Sequence, residues 1–329
     1  MPFNSHSFGI IALAAYQPDW NLFRTQLLSI QAQTHANFQC LISADGGDAE
    51  VEDFVARELG ADERFRVLGF PDRLGFYGNF ERVLSEVPEN ASWVALSDQD
   101  DSWYPTKIET LLPYLDSVSL VAGQARVVRL PGNQVVAEST QRSNVGLGSL
   151  LAQNQVTGSL CVFRRGLLDL ALPFPRLETI TQVHDHWLAV CAKATGDVRL
   201  VSDVVQDYVQ HGGNVLGEVA GRKSPAQSLN HLRDMSRKYR GSDSPVAMLQ
   251  AANDLSFGWR RVMADALRKR LDLSNAADDA VAAYETGHRW MGTIRTLVSG
   301  LRSGEVALPC FLEFLAGFPV ELFAKASRL

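Results

Sequence analysis

"WVALSDQDDSWYPTKIETLL", residues 93–112, opens as an apolar run and ends it abruptly in four polar side chains, Asp98, Gln99, Asp100 and Asp101. The run reads as a strand covered on both faces. The carboxylates after it cannot stay inside a core, and three of them within four residues repel one another. Pro105 then suits the first turn of a helix that runs through Leu112.

Outward from this unit the same alternation repeats. "FGIIALAA" (8–15) is another continuous apolar strand, and "WNLFRTQLLSIQAQ" spaces Leu22, Phe23, Leu27 and Ile30 for a helix. "FQCLIS" (38–43) and "FRVLGF" read as strands, "VEDFVAREL" (51–59) as a helix. "FYGNFERVLSEV" sets Phe76, Phe80, Val83, Leu84 and Val87 on one helical face. Strands alternating with helices imply right-handed crossovers and a largely parallel sheet, an α/β fold. In such sheets ligands bind beyond the carboxyl ends of the strands, which here are Ala14 to Tyr16, Ser43 to Gly47 and Asp98 to Asp101.

Beyond Pro105 the runs are shorter and β-like: "SLVAGQARVVRL", "NQVVAE" and "GSLCVFR". "HDHWLAVCAKA" (184–194) reads as a helix and "VRLVSDVVQDYVQH" as strands. From about residue 220 the apolar positions recur at helical spacing beside a basic face. No internal repeat and no low-complexity tract is present.

The bulk numbers narrow the function. The 329 residues are 46% hydrophobic and 21% charged, enough for one large domain plus an appendage. The net charge of -6 is uneven: residues 216–329 hold 16 Lys and Arg against 12 Asp and Glu, and residues 1–215 hold 15 against 25. The acidic part suits nucleic acid poorly and a divalent cation well. Cys40, Cys161, Cys191 and Cys310 form no CxxC pair, so buried thiols are expected rather than zinc ligands or disulfides. No apolar stretch nears the roughly 20 residues of a membrane-spanning helix, and Met1 to Phe8 form no signal sequence. A cytoplasmic protein is expected.

For the acidic turn two readings stand side by side. Oxygen ligands on a turn are what Mg2+ or Mn2+ selects, the rest of the shell coming from substrate phosphates. Equally, Asp101 or Ser102 caps the following helix and the other carboxylates are solvated.

The ordered set "AAYQPDW...LLSIQAQTHANFQCLISADGG", "RLGFYGNF", "SDQDDSWYPTKIE", "TGSLCVFRRGLL", "HDHW" and "VQHGGNVLG" resembles the family-2 inverting glycosyltransferases with the GT-A fold, and among them the rhamnosyltransferase-like members that build surface polysaccharides. The resemblance spans about residues 8 to 217. It implies a GT-A catalytic domain over 1–217, with a mostly parallel central sheet flanked by helices. Residues 218–329 fall outside the resemblance and read from their periodicity as a helical C-terminal region, a candidate for membrane-surface or oligomer contact.

By this resemblance Asp98, Gln99 and Asp100 match the aspartate motif that holds a metal on the donor's diphosphate, with Asp100 the direct ligand and Asp98 nearer the ribose. His211 matches a histidine that completes the metal or diphosphate site. Asp45 matches the contact to the donor base, Ala14 to Tyr16 the strand end where base and ribose lie, Arg73 a nucleotide contact, and Gly158 a glycine near the donor sugar and acceptor. Family members often carry a second acidic residue where Ala44 stands. Asp185 matches the base that takes the acceptor hydroxyl proton. Each has a plainer reading: Asp45 a turn aspartate, Tyr16 core, Arg73 surface, Gly158 a bulge, Asp185 an N-cap, His184 and His186 satisfied in the core, and Trp187 packing rather than a sugar platform.

The implied activity is metal-dependent transfer of a sugar from a dTDP- or UDP-sugar, with rhamnose the in-family expectation. The acceptor expected is a lipid-linked glycan at the inner face of the membrane; the basic helices and the amphipathic "PCFLEFLAGFPVELFAKASRL" suit peripheral contact there, and packing or self-association accounts for them equally. A nucleotidyltransferase would add a GxxxxGK[ST] phosphate loop, and none occurs. A non-catalytic carbohydrate-binding or scaffold protein on the same fold would need no base at Asp185.

Overall fold

The computed structural model describes residues 3–4, 6–212, 225–273, 275–286 and 290–326. Of "VQHGGNVLG", Gly213 onward lies outside the described residues. The chain divides into two compact units: 1–143 with 156–174 and 191–220, and 144–155 with 175–190 and 221–329. The division does not follow a single cut near residue 217, because two inner segments belong to the second unit.

The first unit holds the strands β1 (Gly9–Ala15), β2 (Phe38–Asp45), β3 (Phe65–Phe70), β4 (Trp93–Ser97), β5 (Ser102–Trp103), β6 (Leu120–Arg129), β7 (Gln134–Ala137), β8 (Cys161–Arg164) and β9 (Val198–Gln210). They join one sheet in the order β3-β2-β1-β4-β8-β6-β9-β5, with β7 on β6. From β3 to β4 every pairing is parallel, as the alternation of strands and helices predicts. Beyond β4 the sheet is mixed. β8 runs against both of its neighbours, and β5 and β7 pair antiparallel with β9 and β6. The connections into β7 and β8 carry no crossover helix long enough to impose parallel pairing.

The strands form where the apolar runs predict. In β1, Ile10 to Leu13 are fully buried because helices cover both faces of the sheet. The helices are α1 (Trp20–Gln31), α2 (Ala49–Leu59), α3 (Gly75–Ser85), α4 (Lys107–Leu111), α5 (Leu147–Ala152), α6 (Leu167–Ala171) and α7 (His184–Thr195). Asp19 caps α1 through the amides of Asn21 and Leu22, and the helix turns Phe23, Leu27 and Ile30 into the core. The four cysteines are free and buried.

The second unit is built from α5, the first half of α7, and α8 (Pro225–Arg240), α9 (Pro245–Asn253), α10 (Trp259–Arg270), α11 (Asn275–Ala282), α12 (Trp290–Ser303) and α13 (Leu308–Ala326). Met263, Leu267, Val281, Leu297 and Phe314 form its core. A π-helical turn at Asp254–Gly258 joins α9 to α10 and sets Phe257 edge-on to Phe314, with ring centroids 5.1 Å apart. Gly317 lets α13 cross α9 closely: a Cβ there would lie 3.1 Å from Ala252 O. Among the described residues no helix is long and apolar enough to cross a membrane.

Gly9 shows how tightly β1 meets β4. Its missing Cβ would lie 2.0 Å from the Trp93 ring, which Ser7 O holds through Nε1 at 3.0 Å and the His35 ring meets edge-on. Gly9→Ala is expected to cost about 3 kcal/mol by overpacking, read as a lower urea midpoint at unchanged slope. An unchanged midpoint would contradict this packing.

Candidate active site

The ends of β1, β2 and β4 come together because the three strands are parallel and in register: Ala14 pairs with Ser43, and Leu13 with Ser97. β8 runs the other way, with Ala95 opposite Val162, so its start lies beside the end of β4. Gly158 and Ser159, both buried in the short 3-10 turn before β8, thereby reach the acidic turn.

The three carboxylates of that turn have different surroundings. Asp101 is buried, and accepts from Gln206 Nε2 at 2.7 Å and from the Val209 amide at 3.1 Å. Gln206 Oε1 in turn accepts from the fully buried Lys107 Nζ at 2.6 Å. Lys107 also donates to Ser159 O and lies 3.5 Å from the Trp103 ring centroid. This network ties the acidic turn to β9 and α4, so Asp101 is an anchor. Burial pushes Asp101 well above the ordinary carboxylate range, and the charges of Asp98 and Asp100 add to the effect. Burial lowers Lys107 well below its usual value, against the pull of Asp101.

Asp98 and Asp100 are half-buried, and both are raised. Burial is the main cause in each case. Lys107 opposes it at Asp98, whereas the charge of Asp98 reinforces it at Asp100. Asp100 Oδ2 lies 2.8 Å from His211 Nε2. Two neighbouring ligands at right angles on an ion with bonds of about 2.1 Å stand roughly 3 Å apart, so this pair fits one edge of a Mg2+ or Mn2+ shell. Among the described residues no three His, Cys, Asp or Glu side chains gather to hold a metal unaided. Asp100 and His211 would supply two ligands of such an ion, its remaining oxygens coming from phosphate and water.

Around this turn lie the other strand-end residues. Asp45 has a buried carboxylate whose Oδ1 accepts from the Leu74 amide at 2.8 Å and from Arg82 at 3.0 Å, while Oδ2 accepts from the Gly75 amide at 2.8 Å. It holds the start of α3, where Gly75 takes a φ of 72°, and with it the loop that carries Arg73. The exposed Arg73 guanidinium lies 4.0 Å over the Tyr16 ring. Ala14 is half-buried at the end of β1. Ala14, Tyr16, Asp45, Arg73, Asp98, Asp100, Gly158 and His211 are all in the first unit.

Asp185 belongs to the second unit. Its Oδ1 accepts from Asn154 Nδ2 at 2.9 Å and from the His186 amide at 2.6 Å, which fixes the plane of the carboxylate at the start of α7. His184 and His186 are buried, and desolvation lowers both to about 3, so neither carries charge near neutral pH. His186 Nε2 is 2.7 Å from Leu150 O. Trp187 is fully buried, with Arg270 5.3 Å from its ring centroid, and is a packing residue rather than a sugar platform.

The family model described as Glycosyl transferase family 2 matches residues 11–164. Residues 11–164 are a family 2 glycosyltransferase domain. The match runs from β1 through β8 and contains Tyr16, Asp45, Arg73, the acidic turn and Gly158, whereas Asp185 and His211 lie beyond it. Among solved structures, S. aureus TarS 1-349 in complex with UDP-GlcNAc is similar at 13% identity and a TM-score of 0.53, over 96% of this chain and 92% of that one. That likeness agrees with the GT-A fold. Another structure of S. aureus TarS aligns at 12% identity and a TM-score of 0.47, over 86% of this chain and 56% of that one. None of the curated proteins matches the chain. The domain makes this chain a glycosyltransferase.

Sequence reasoning missed Lys107, Gln206, Asn154 and the partner of Gln99. For Lys107 one signal was available, a cation beside Ile108 and one turn before Leu111, both buried.

The raised carboxyls have a measurable consequence. Between the ordinary carboxylate pKa near 4 and their raised values, the folded turn binds protons that the unfolded chain has released. The stability these groups contribute is therefore present in acid and lost as pH rises. Without divalent cation, Asp100→Asn should gain stability relative to wild type from pH 4.5 to 7.5, measured by urea unfolding. Parallel curves for the two proteins would contradict these surroundings.

Proposed function

We propose that this glycosyltransferase moves a sugar from a nucleoside diphosphate donor to an acceptor hydroxyl by a single displacement with inversion at the anomeric carbon. The observation that carries the reading is the Asp100–His211 pair on a turn whose three carboxyls are all raised, inside a family 2 domain. Such a turn favours a ligand that brings positive charge with it, and a diphosphate needs the same charge. Held by Asp100 and His211 with Asp98 nearby, Mn2+ or Mg2+ would act as a Lewis acid for the departing diphosphate.

The other residues divide the donor between them. Tyr16 and Ala14 receive the nucleoside, the tyrosine ring offering a face to a pyrimidine. Arg73 donates to a base carbonyl or a phosphate. Asp45 serves base recognition by holding the loop that carries Arg73, since its own oxygens already accept from Leu74, Gly75 and Arg82. Gly158 leaves room for the donor sugar. Asp185, its carboxylate oriented by Asn154, takes the proton of the acceptor hydroxyl as that oxygen attacks.

TarS 1-349 was solved with UDP-GlcNAc, so uridine diphosphate sugars stand beside dTDP-rhamnose as donors to test. The acceptor we favour is a lipid-linked glycan of surface polysaccharide synthesis. Residues 1–217 carry the chemistry in this reading, and the helices of 218–329 meet the membrane surface or a second copy. The exposed Leu308, Leu312 and Leu315 on α13 support that contact.

With Mn2+ present, wild type should release nucleoside diphosphate from one of these sugars as water takes the acceptor's place and receives the sugar, and a chelator should stop it. Asp185→Asn should slow release by about 10²–10⁴-fold while nucleotide affinity stays within about twofold. Equal rates in wild type and Asp185→Asn would remove Asp185 from the reaction.

A further inference from the structure

The middle residue of the acidic motif does something the two flanking aspartates cannot. Gln99 Oε1 accepts from the Tyr16 amide at 2.7 Å, and Gln99 Nε2 donates to Tyr16 O at 3.1 Å. One side-chain amide thus bonds both backbone groups of a single residue on the neighbouring strand end. It extends the β1–β4 ladder by one rung after the strands have stopped, since the last backbone pair is Leu13 with Ser97.

The residue after Tyr16 explains why that rung is needed. Gln17 has a φ of 41°, in the left-handed region, although it is not glycine. Such a conformation is disfavoured for a residue that carries a Cβ and persists only where its surroundings impose it. Pro18 follows and restricts Gln17 further. Gln17 follows directly on Tyr16, whose ring lies 4.0 Å under the Arg73 guanidinium, so a relaxation of this segment to negative φ would act on the residue that carries the ring. Two hydrogen bonds from Gln99 oppose that relaxation directly at Tyr16.

We infer that Gln99 is a positioning residue for the donor nucleoside: its amide clamps Tyr16 so that the ring at the end of β1 is held ready, coupling the nucleoside pocket to the turn that faces the diphosphate. This rests on the reading that Tyr16 receives the nucleoside. The chemistry also explains why an amide stands between two carboxylates. An aspartate or glutamate at position 99 would accept from the Tyr16 amide, but it would have no donor for Tyr16 O and would add a fourth charge to the turn. The ligand class is a nucleoside diphosphate, and the clamp acts on its nucleoside half.

The test uses Gln99→Met, which keeps the length of the side chain, removes both hydrogen bonds and adds no charge. Hydrogen exchange of the peptide spanning residues 13–22, without ligand, should be faster in the variant than in wild type. Exchange unchanged in this peptide would overturn the clamp, whatever the protein binds. Binding of UDP and dTDP, titrated with Mn2+ present, should weaken by about tenfold, the loss expected for two hydrogen bonds to one element. In turnover this should appear in KM, with kcat within about twofold.

A merely structural role is excluded by the Tyr16→Ala background, where Gln99→Met should add less than about twofold. A full tenfold loss there would mean that Gln99 acts through Asp98 and Asp100, and would overturn the inference. So would faster exchange with unchanged nucleotide affinity. Failure of wild type to bind either nucleotide would instead strike the proposed function, and the exchange comparison would still decide whether Gln99 holds Tyr16.

Discussion

Three carboxylates at the end of β4 repel one another, and much of the first unit answers that repulsion. From within, Lys107 reaches under the turn from α4 and meets Asp101 through Gln206 and Ser159, tying β9 and the start of β8 to the same point. From outside, Asp98 and Asp100 keep raised carboxyls beside His211. The buried lysine is fixed by its bonds to Ser159 O and Gln206, which stand in for the solvent it has lost. Among the described residues neither Asp98 nor Asp100 forms an ion pair with a lysine or arginine, and that asymmetry suits an ion arriving with its substrate.

The same turn organises its neighbours mechanically. Gln99 leaves the ladder of charges and bonds the Tyr16 backbone, Asp101 bonds the Val209 amide, and Asp100 meets His211 beyond the end of β9. Three consecutive residues thus reach the ends of β1 and β9. Parallel register in the first half of the sheet brings these ends together, and the reversal at β8 presents Gly158 from the opposite chain direction.

Most of the sheet was legible in the sequence because it is buried on both faces. Runs such as "GIIALAA" and "WVALS" have no amphipathic alternation to mislead, and the polar residues at their ends mark where the core stops. The acidic turn was readable for the same reason, and α1, α2 and α3 because each turns one apolar face to the core. Strand direction in the second half was not, since β5, β7 and β8 are short and only their pairing partners decide whether they run up or down. Lys107 and Gln99 stayed hidden because their functions depend on contacts 52 and 83 residues away. Asn154 beside Asp185 is a contact of the same long-range kind, and the interleaving of 144–155 and 175–190 into the second unit left no mark in composition.

In the proposed reaction the outer face of the acidic turn is completed by a divalent cation shared with a nucleoside diphosphate. Calorimetric titration of UDP into wild type and Asp100→Asn, each with Mn2+ and with chelator, tests it most directly. Wild type should bind UDP at least about tenfold more tightly with Mn2+, and Asp100→Asn should lose that difference while keeping its affinity in chelator. A cation dependence that survives intact in Asp100→Asn would contradict the account.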